Sequence, residues 1–247
     1  MTTLIPIVNI PPQSHSSLQT FELCPRQYEA KYVLRNVKFQ PSYESEWGDR
    51  AHQYLENYLK ASGKFEIPSE VHKDTKQNMR DYQWAGDALL TRAQSRGGYV
   101  LAERKFALDH EKDTADYWDK TCWLRGKIDV TIIYPQQGEA EVYDFKTGKK
   151  KDDPDQCILY SASAMVDYGN VSKVRAGYIW LKLPADKAVD KPMTFTRADL
   201  PNMFRAFDAK YFALQDAYES GVFPPKPNGL CKNWCDVPCE FNGRGIR

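Results

Sequence analysis

The feature that most constrains the fold is a change of period partway along the chain. Before residue 98 the apolar residues recur at helical spacing, and after it they alternate. "GYVLAERKFAL" (98–108), "TCWLRGKIDVTIIYP" (121–135) and "EAEVYDFKTG" (139–148) each read as strands. The "PQQG" between the last two is a hairpin signal. Paired strands create a sheet whose apolar face must be covered by other elements.

The covering helices lie on both sides in sequence. Ser14 or Ser16 can N-cap a first helix, carried by Leu18, Phe21, Leu23, Tyr28, Tyr32 and Val33 to about residue 34, with Pro25 to be accommodated. "YESEWGDRAHQYLENYLKASG" (43–63) is a second, with Gly63 as its stop. A third fills 68–95, ahead of Gly97–Gly98. Beyond the hairpin, "PDQCILYSASAMVDYG" (154–169) reads as a helix, "VSKVRAGYIWLK" (171–182) as a strand and 197–221 as a long helix. The order predicts an α/β fold with a central mixed β-sheet flanked by helices. Three leading strands in a meander exclude a doubly wound dinucleotide fold, and neither a Gly-rich phosphate loop nor a Walker motif is present.

The net charge is +1, so an anionic partner would have to be met by a local patch. No run approaches the length of a membrane span, and "MTTLIPIVNIPPQSHSS" lacks the pattern of a secretory signal. The expectation is a cytoplasmic protein without a membrane partner. Six cysteines in that setting are thiols or metal ligands rather than disulfides.

Side chains two apart on a strand share a face, so Asp144 and Lys146 point together while Tyr143 and Phe145 point toward a core. On the preceding strand Lys127, Asp129 and Thr131 share a face. If the polar faces of the hairpin coincide, Asp129, Asp144 and Lys146 converge. Two close carboxylates repel unless they are solvated apart or hold a divalent cation such as Mg²⁺ or Mn²⁺. Such an ion polarises a phosphodiester, and a neighbouring lysine can position or deprotonate a water. A D-x-K triplet alone is more often an exposed strand edge.

The wider set of motifs resembles the RecB-like branch of the PD-(D/E)xK nuclease superfamily. The pieces occur in that family's order. "SSLQTFELCPRQYEAKYV" (16–33) looks like the opening helix and "GDRAHQYLE" (48–56) like G-x-x-x-H. "GKID" (126–129) matches G-x-x-D, "DFKTG" (144–148) matches D-x-K-T-G, and "QCILY" (156–160) matches Q-x-x-x-Y. Cys231, Cys235 and Cys239 close the pattern. The resemblance implies a restriction-endonuclease-like core in which His52, Asp129, Asp144 and the backbone carbonyl of Phe145 hold the metal. It makes Asp129, Asp144 and Lys146 catalytic, with Gln156 and Tyr160 reaching the lysine, the DNA or both. Glu103 sits on the strand before Asp129 and is read as a salt-bridge partner rather than a ligand.

In some members of that branch a cysteine of the opening helix joins three near the C-terminus around a four-iron cluster. Cys24 is at the matching position, so the resemblance implies a [4Fe-4S] cluster on Cys24, Cys231, Cys235 and Cys239. The family's C-terminal group usually begins C-x₂-C, whereas both gaps here are three residues, and zinc remains the alternative. Lys149, Lys150 and Lys151, with Arg125 and Lys127, form a local phosphate-binding patch or a solvated loop. Trp118, Trp123 and Trp180 are available for base stacking, although most such residues belong to a core.

The expected organisation is an irregular tail (1–13) and one nuclease domain (14–247). That domain comprises a helical region (14–97), a nuclease core (98–221) and a Cys-rich cluster-binding tail (222–247). The expected function is Mg²⁺- or Mn²⁺-dependent DNA hydrolysis, as an exonuclease on duplex ends or single strands. Its setting would be a bacterial or phage-infected cell, in recombination, repair, DNA degradation or CRISPR adaptation, with partner proteins from those processes. The alternative is an inactive, iron–sulfur- or zinc-stabilised module that binds DNA or a partner on a nuclease fold. The sequence leaves polarity and oligomeric state open.

Overall fold

The computed structural model describes residues 10–37, 40–150, 153–233 and 235–242. The first nine residues of the expected tail lie outside the described residues, as does Lys151. By compactness the chain forms two units, one spanning 41–204 and one combining the residues up to 40 with those from 205 onward.

The larger unit is built on a five-stranded mixed sheet in the order β1 (Tyr99–Asp109), β2 (Cys122–Tyr134), β3 (Glu139–Lys146), β4 (Lys173–Trp180), β5 (Met193–Thr196). β1, β2 and β3 form an antiparallel meander. The β2–β3 turn closes at Tyr134↔Glu139, with Gly138 at φ 60°, a left-handed conformation that glycine adopts without strain. β4 runs parallel to β3, which requires a crossover, and helix α5 (Pro154–Asp167) supplies it. β5 adds an antiparallel edge. Its four residues, "MTFT", are too short a run to stand out from the loop in sequence.

One sheet face packs on α3 (Tyr43–Lys60) and α4 (Gln83–Ser95). Trp47, Ala51, Leu55, Tyr58 and Leu59 of α3 are buried at i, i+4 spacing, and they join Val130, Ile132, Tyr143 and Phe145 in one core cluster. α5 packs against β3 and β4. It is buried almost all round, which its small residues Ser161, Ala162, Ser163 and Ala164 permit. An Arg104–Asp167 ion pair pins α5 to β1, with further bonds from Arg104 to Thr131 and Ser163 at 3.2 Å each. With both faces covered, the inner positions of β3 are buried continuously rather than alternately.

The helix expected over 68–95 is shorter. Residues 69–78 form an irregular loop closed by a Val71↔Asn78 bridge, followed by a 3₁₀ turn (Met79–Tyr82) that Asn78 caps. Fully buried His72 organises the loop, its Nδ1 accepting the N–H groups of Asp74 and Thr75 at 3.2 Å. A side chain that satisfies backbone donors locally competes with a helical ladder.

In the smaller unit the opening segment is also interrupted. α1 (His15–Leu23) ends at Cys24, which is extended (φ −164°, ψ 107°) because Pro25 follows. α2 (Pro25–Tyr28) then continues into a π-helical turn (Glu29–Val33). Tyr28 is fully buried against Phe21, Tyr218 and Phe223, and its hydroxyl donates to buried Gln13 at 3.0 Å. The remaining helical elements are α6 (Ala185–Ala188), a 3₁₀ turn (Arg197–Asp199) and the long α7 (Leu200–Ser220). Among the described residues no helix is long and apolar enough to cross a membrane.

Gly86 of α4 is the contact point for α3. A Cβ there would sit 2.5 Å from Cδ1 of Tyr58, whose hydroxyl is bonded to Asp87 and holds the ring in place. Gly→Ala normally gains about 1 kcal/mol in a helix, but overpacking costs about 1–3 kcal/mol. Gly86→Ala is therefore expected to lower the urea midpoint of unfolding, with the slope unchanged.

Candidate active site

The β2–β3 ladder ends at Val130↔Tyr143, so Asp129 and Asp144 are the first opposed pair beyond it. β2 continues paired only with β1, while β3 continues beside β4. In the fork, the Phe145 N–H has no β2 carbonyl opposite, and it donates instead to Asp129 Oδ2 at 2.7 Å. The Phe145 ring is buried in the core on the α3 side, which fixes the backbone at this point.

The D-x-K pair is organised by α5. Gln156 Nε2 donates to Asp144 Oδ1 at 2.8 Å, and its Oε1 accepts from Lys146 Nζ at 2.9 Å. A glutamine suits this place because its two ends match an acid and a cation at once. The same Nε2 donates to the Tyr160 hydroxyl at 2.8 Å. Tyr160 is 8% exposed and stands edge-on to Phe106, so it supports Gln156 from within.

His52 reaches the fork from α3, its Nδ1 3.3 Å from Asp129 Oδ2. Gly48, one turn earlier, lets the helix approach. A Cβ there would meet Thr147 Oγ1 at 2.9 Å. Donor atoms of His52, Asp129 and Glu103 lie within 4.8 Å of one another. Glu103 accepts from Lys127 Nζ at 2.8 Å and takes a left-handed backbone, φ 53°. It lies across from Asp129, between the pairs Ala102↔Val130 and Arg104↔Ile128. The side-chain faces of β1 turn over there: Val100 and Ala102 pack with α3 and α4, but Phe106 packs on Tyr160 of α5. Strict alternation would have put 102 and 106 on one face, so strain at Glu103 is what turns the strand.

The donor set fits a divalent cation. Asp144 Oδ2 is buried and pairs with Lys146 Nζ at 2.6 Å, so a bound cation would share this carboxylate with the ammonium. Carboxylate and imidazole donors suit Mn²⁺, and carboxylates suit Mg²⁺. A second convergent group is Glu44, His72 and Asp74, whose Glu44 accepts from Lys182 at 2.9 Å much as Glu103 accepts from Lys127.

Charge is held unequally in the fork. Burial, then the nearby Asp129, raises Asp144 from 3.8 to about 7, against the pull of Lys146 and His52. Burial would lower His52, but Asp129 and then Asp144 overcome it and raise it from 6.5 to about 9. Burial also raises the Tyr160 hydroxyl, which stays protonated. Of the trailing lysines, Lys149 is exposed and Lys150 pairs with Asp190.

Within the smaller unit, Cys24, Cys231, Cys235 and Cys239 line one pocket, all as free thiols. The Lys226 N–H points at Cys24 Sγ at 3.4 Å and the Asn228 N–H at Cys231 Sγ at 3.3 Å. Burial raises the Cys235 thiol, and the other three sulfurs raise it further. Cys122 and Cys157 are buried thiols of the larger unit.

The fold is that of a nuclease family. The chain belongs to the PD-(D/E)XK nuclease superfamily, whose family model matches residues 12–240. A crystal structure from Eubacterium rectale, described as a "Putative exonuclease", shares the fold with a TM-score of 0.50. The sequence identity is 12%, over 91% of this chain and 87% of that one. No curated protein matches the chain.

The fork's protons set a pH dependence. Asp144 is raised, so its contribution falls as pH climbs from 3.8 toward 7; His52 is raised, so its contribution is full below 6.5 and lost through about 9. The metal-free protein is expected to lose thermal stability across that window. Mn²⁺, replacing those protons, is expected to raise Tm more at about pH 9 than at about pH 6. Scanning calorimetry with and without Mn²⁺ measures both.

Proposed function

We propose that the protein is a divalent-cation-dependent deoxyribonuclease of the RecB-like branch, acting as an exonuclease on DNA ends or single strands. The observation that carries the reading is the network in which Gln156 bridges Asp144 to Lys146 while Asp129 secures the next peptide. The charged set is intact, with Lys146 on Asp144 and His52 beside Asp129, whereas a decayed site loses at least one of these charges.

His52, Asp129, Asp144, Glu103 and the Phe145 carbonyl would hold the cation, which when bound polarises the phosphodiester and lowers the pKa of water. The chain's own groups then have distinct tasks. Asp129 locks the Asp144–Phe145 peptide through its N–H. Gln156 holds the Lys146 ammonium at a fixed place, where it can orient a water and neutralise charge on the phosphate. Tyr160 fixes Gln156. Lys149 and Lys150 supply phosphate contacts beyond the fork.

The four cysteines are read as ligands of a [4Fe-4S] cluster that joins the first helix to the C-terminal segment. This reading places the protein in the cytoplasm of a bacterial or phage-infected cell, in recombination, repair, DNA degradation or CRISPR adaptation.

End-labelled DNA incubated with Mg²⁺ or Mn²⁺ tests the activity. Asp144→Asn and Lys146→Ala are expected to slow cleavage by roughly 10²–10⁴, with Gln156→Ala in between. Equal cleavage by these variants, or none by the wild type, would refute the assignment. Anaerobically purified protein is expected to be brown and to contain iron and sulfide; a colourless protein with stoichiometric zinc would overturn the cluster.

A further inference from the structure

The loop between β1 and β2 carries a basic and aromatic surface that leads away from the fork. Of the three tryptophans available for stacking, Trp123 and Trp180 are buried at 1% and 3% exposure, whereas Trp118 is 73% exposed. Burial therefore does not explain Trp118. The loop that presents it is ordered. Ala115 N–H donates to Ala107 O at 2.9 Å, and Leu108↔Thr114 is a bridge. Asp116 caps the Trp118 N–H at 2.8 Å, and Arg125 Nη1 donates to Tyr117 O at 2.9 Å.

Two cations flank the ring. Lys105 Nζ lies 5.7 Å and the Arg125 guanidinium carbon 5.3 Å from the Trp118 centroid. The same cations lie 5.2 and 5.1 Å from the Tyr117 ring, which stands edge-on to Trp118. Lys105 is paired across the ribbon with Lys127, whose ammonium reaches Glu103 at the fork. Basic positions thus follow the strands from Lys127 at the fork to its cross-strand partner Lys105 and to Arg125, both beside Trp118. Asp129 to Arg125 is four strand residues, roughly 13 Å.

We propose that this surface is the landing platform for the single-stranded DNA that feeds the fork, with Trp118 stacking on an unpaired base and Lys105, Arg125 and Lys127 contacting its backbone. The proposal rests on the nuclease reading and narrows its substrate. An exposed ring flanked by cations matches the two parts of sequence-tolerant single-strand binding, a stacking face and a phosphate track. A duplex keeps its bases stacked on one another and offers only an edge or a groove to such a ring. Cation–π pairs at exposed sites contribute little to the fold, so they leave exposed Lys105 available, while Arg125 also holds the Tyr117 carbonyl and Lys127 pairs with Glu103.

The test is fluorescence anisotropy of labelled oligonucleotides with the full chain in EDTA, so that binding is read without cleavage. Trp118→Ala is expected to weaken binding of a single strand about tenfold and of a blunt duplex less than twofold, while Trp118→Phe retains most of the affinity. Lys105→Ala with Arg125→Ala is expected to reduce the salt dependence of single-strand binding. Hydrolysis of bis(p-nitrophenyl) phosphate, too small to reach the loop, is expected to be unchanged in Trp118→Ala, and its melting temperature checks the fold.

Unchanged single-strand affinity in Trp118→Ala, an equal loss on duplex, or tighter binding of an RNA of the same sequence would overturn the platform. If Trp118→Ala unfolds, the Lys105 and Arg125 variants and oligonucleotide quenching of wild-type tryptophan emission decide the question. Absence of quenching then overturns it. A wild type that binds single strands through Trp118 but cleaves nothing would instead refute the nuclease reading.

Discussion

The site exists because two strands that begin as a hairpin stop exchanging hydrogen bonds. Where β2 and β3 part, one peptide N–H is left without a carbonyl, and the Asp129 carboxylate takes it. A buried unpaired donor is costly, so the carboxylate is fixed there for a structural reason before any chemistry is considered. Everything else in the fork is placed relative to that bond. Asp144 stands opposite, Lys146 follows two residues later on the same face, and His52 closes on the other side of Asp129.

The layers on either side of the sheet divide the labour. α3 brings His52 and needs Gly48 to come close, while α5 brings Gln156 and Tyr160. Burial raises the proton affinity of Asp144, and the carboxylates raise that of His52, so the metal-free fork stores protons that a cation would displace. The left-handed backbone at Glu103 has a consequence beyond its own side chain. By turning β1 over, it sends Phe106 toward α5 and leaves Lys105 facing the exposed Trp118 loop. One strained residue thus adjoins both the candidate cation site and the surface leading to it.

Much of the fork is legible in the amino-acid sequence. The turn between the second and third strands is short, and a short turn limits the register, so Asp129 and Asp144 can be opposed on pattern alone. Asp144 and Lys146 share a face by the two-residue period. Glu103 is not legible in this way, because a twelve-residue connection separates β1 from β2 and no turn chemistry fixes their register. The helical pattern through 68–78 gives way for a different reason: buried His72 satisfies backbone donors that a helix would need. β5 offers only four residues of alternation.

The sequence by itself determined the longer periodic segments, the meander, and the short-range pairing of acid and lysine, because each depends on period or on a tight turn. Only the tertiary structure decided that His52 meets Asp129, that Gln156 spans Asp144 and Lys146, and that Trp118 is left in solvent while Trp123 and Trp180 are not. Those outcomes depend on which helix face meets which end of the sheet. That choice is made by packing between residues far apart in the chain, and no local pattern encodes it.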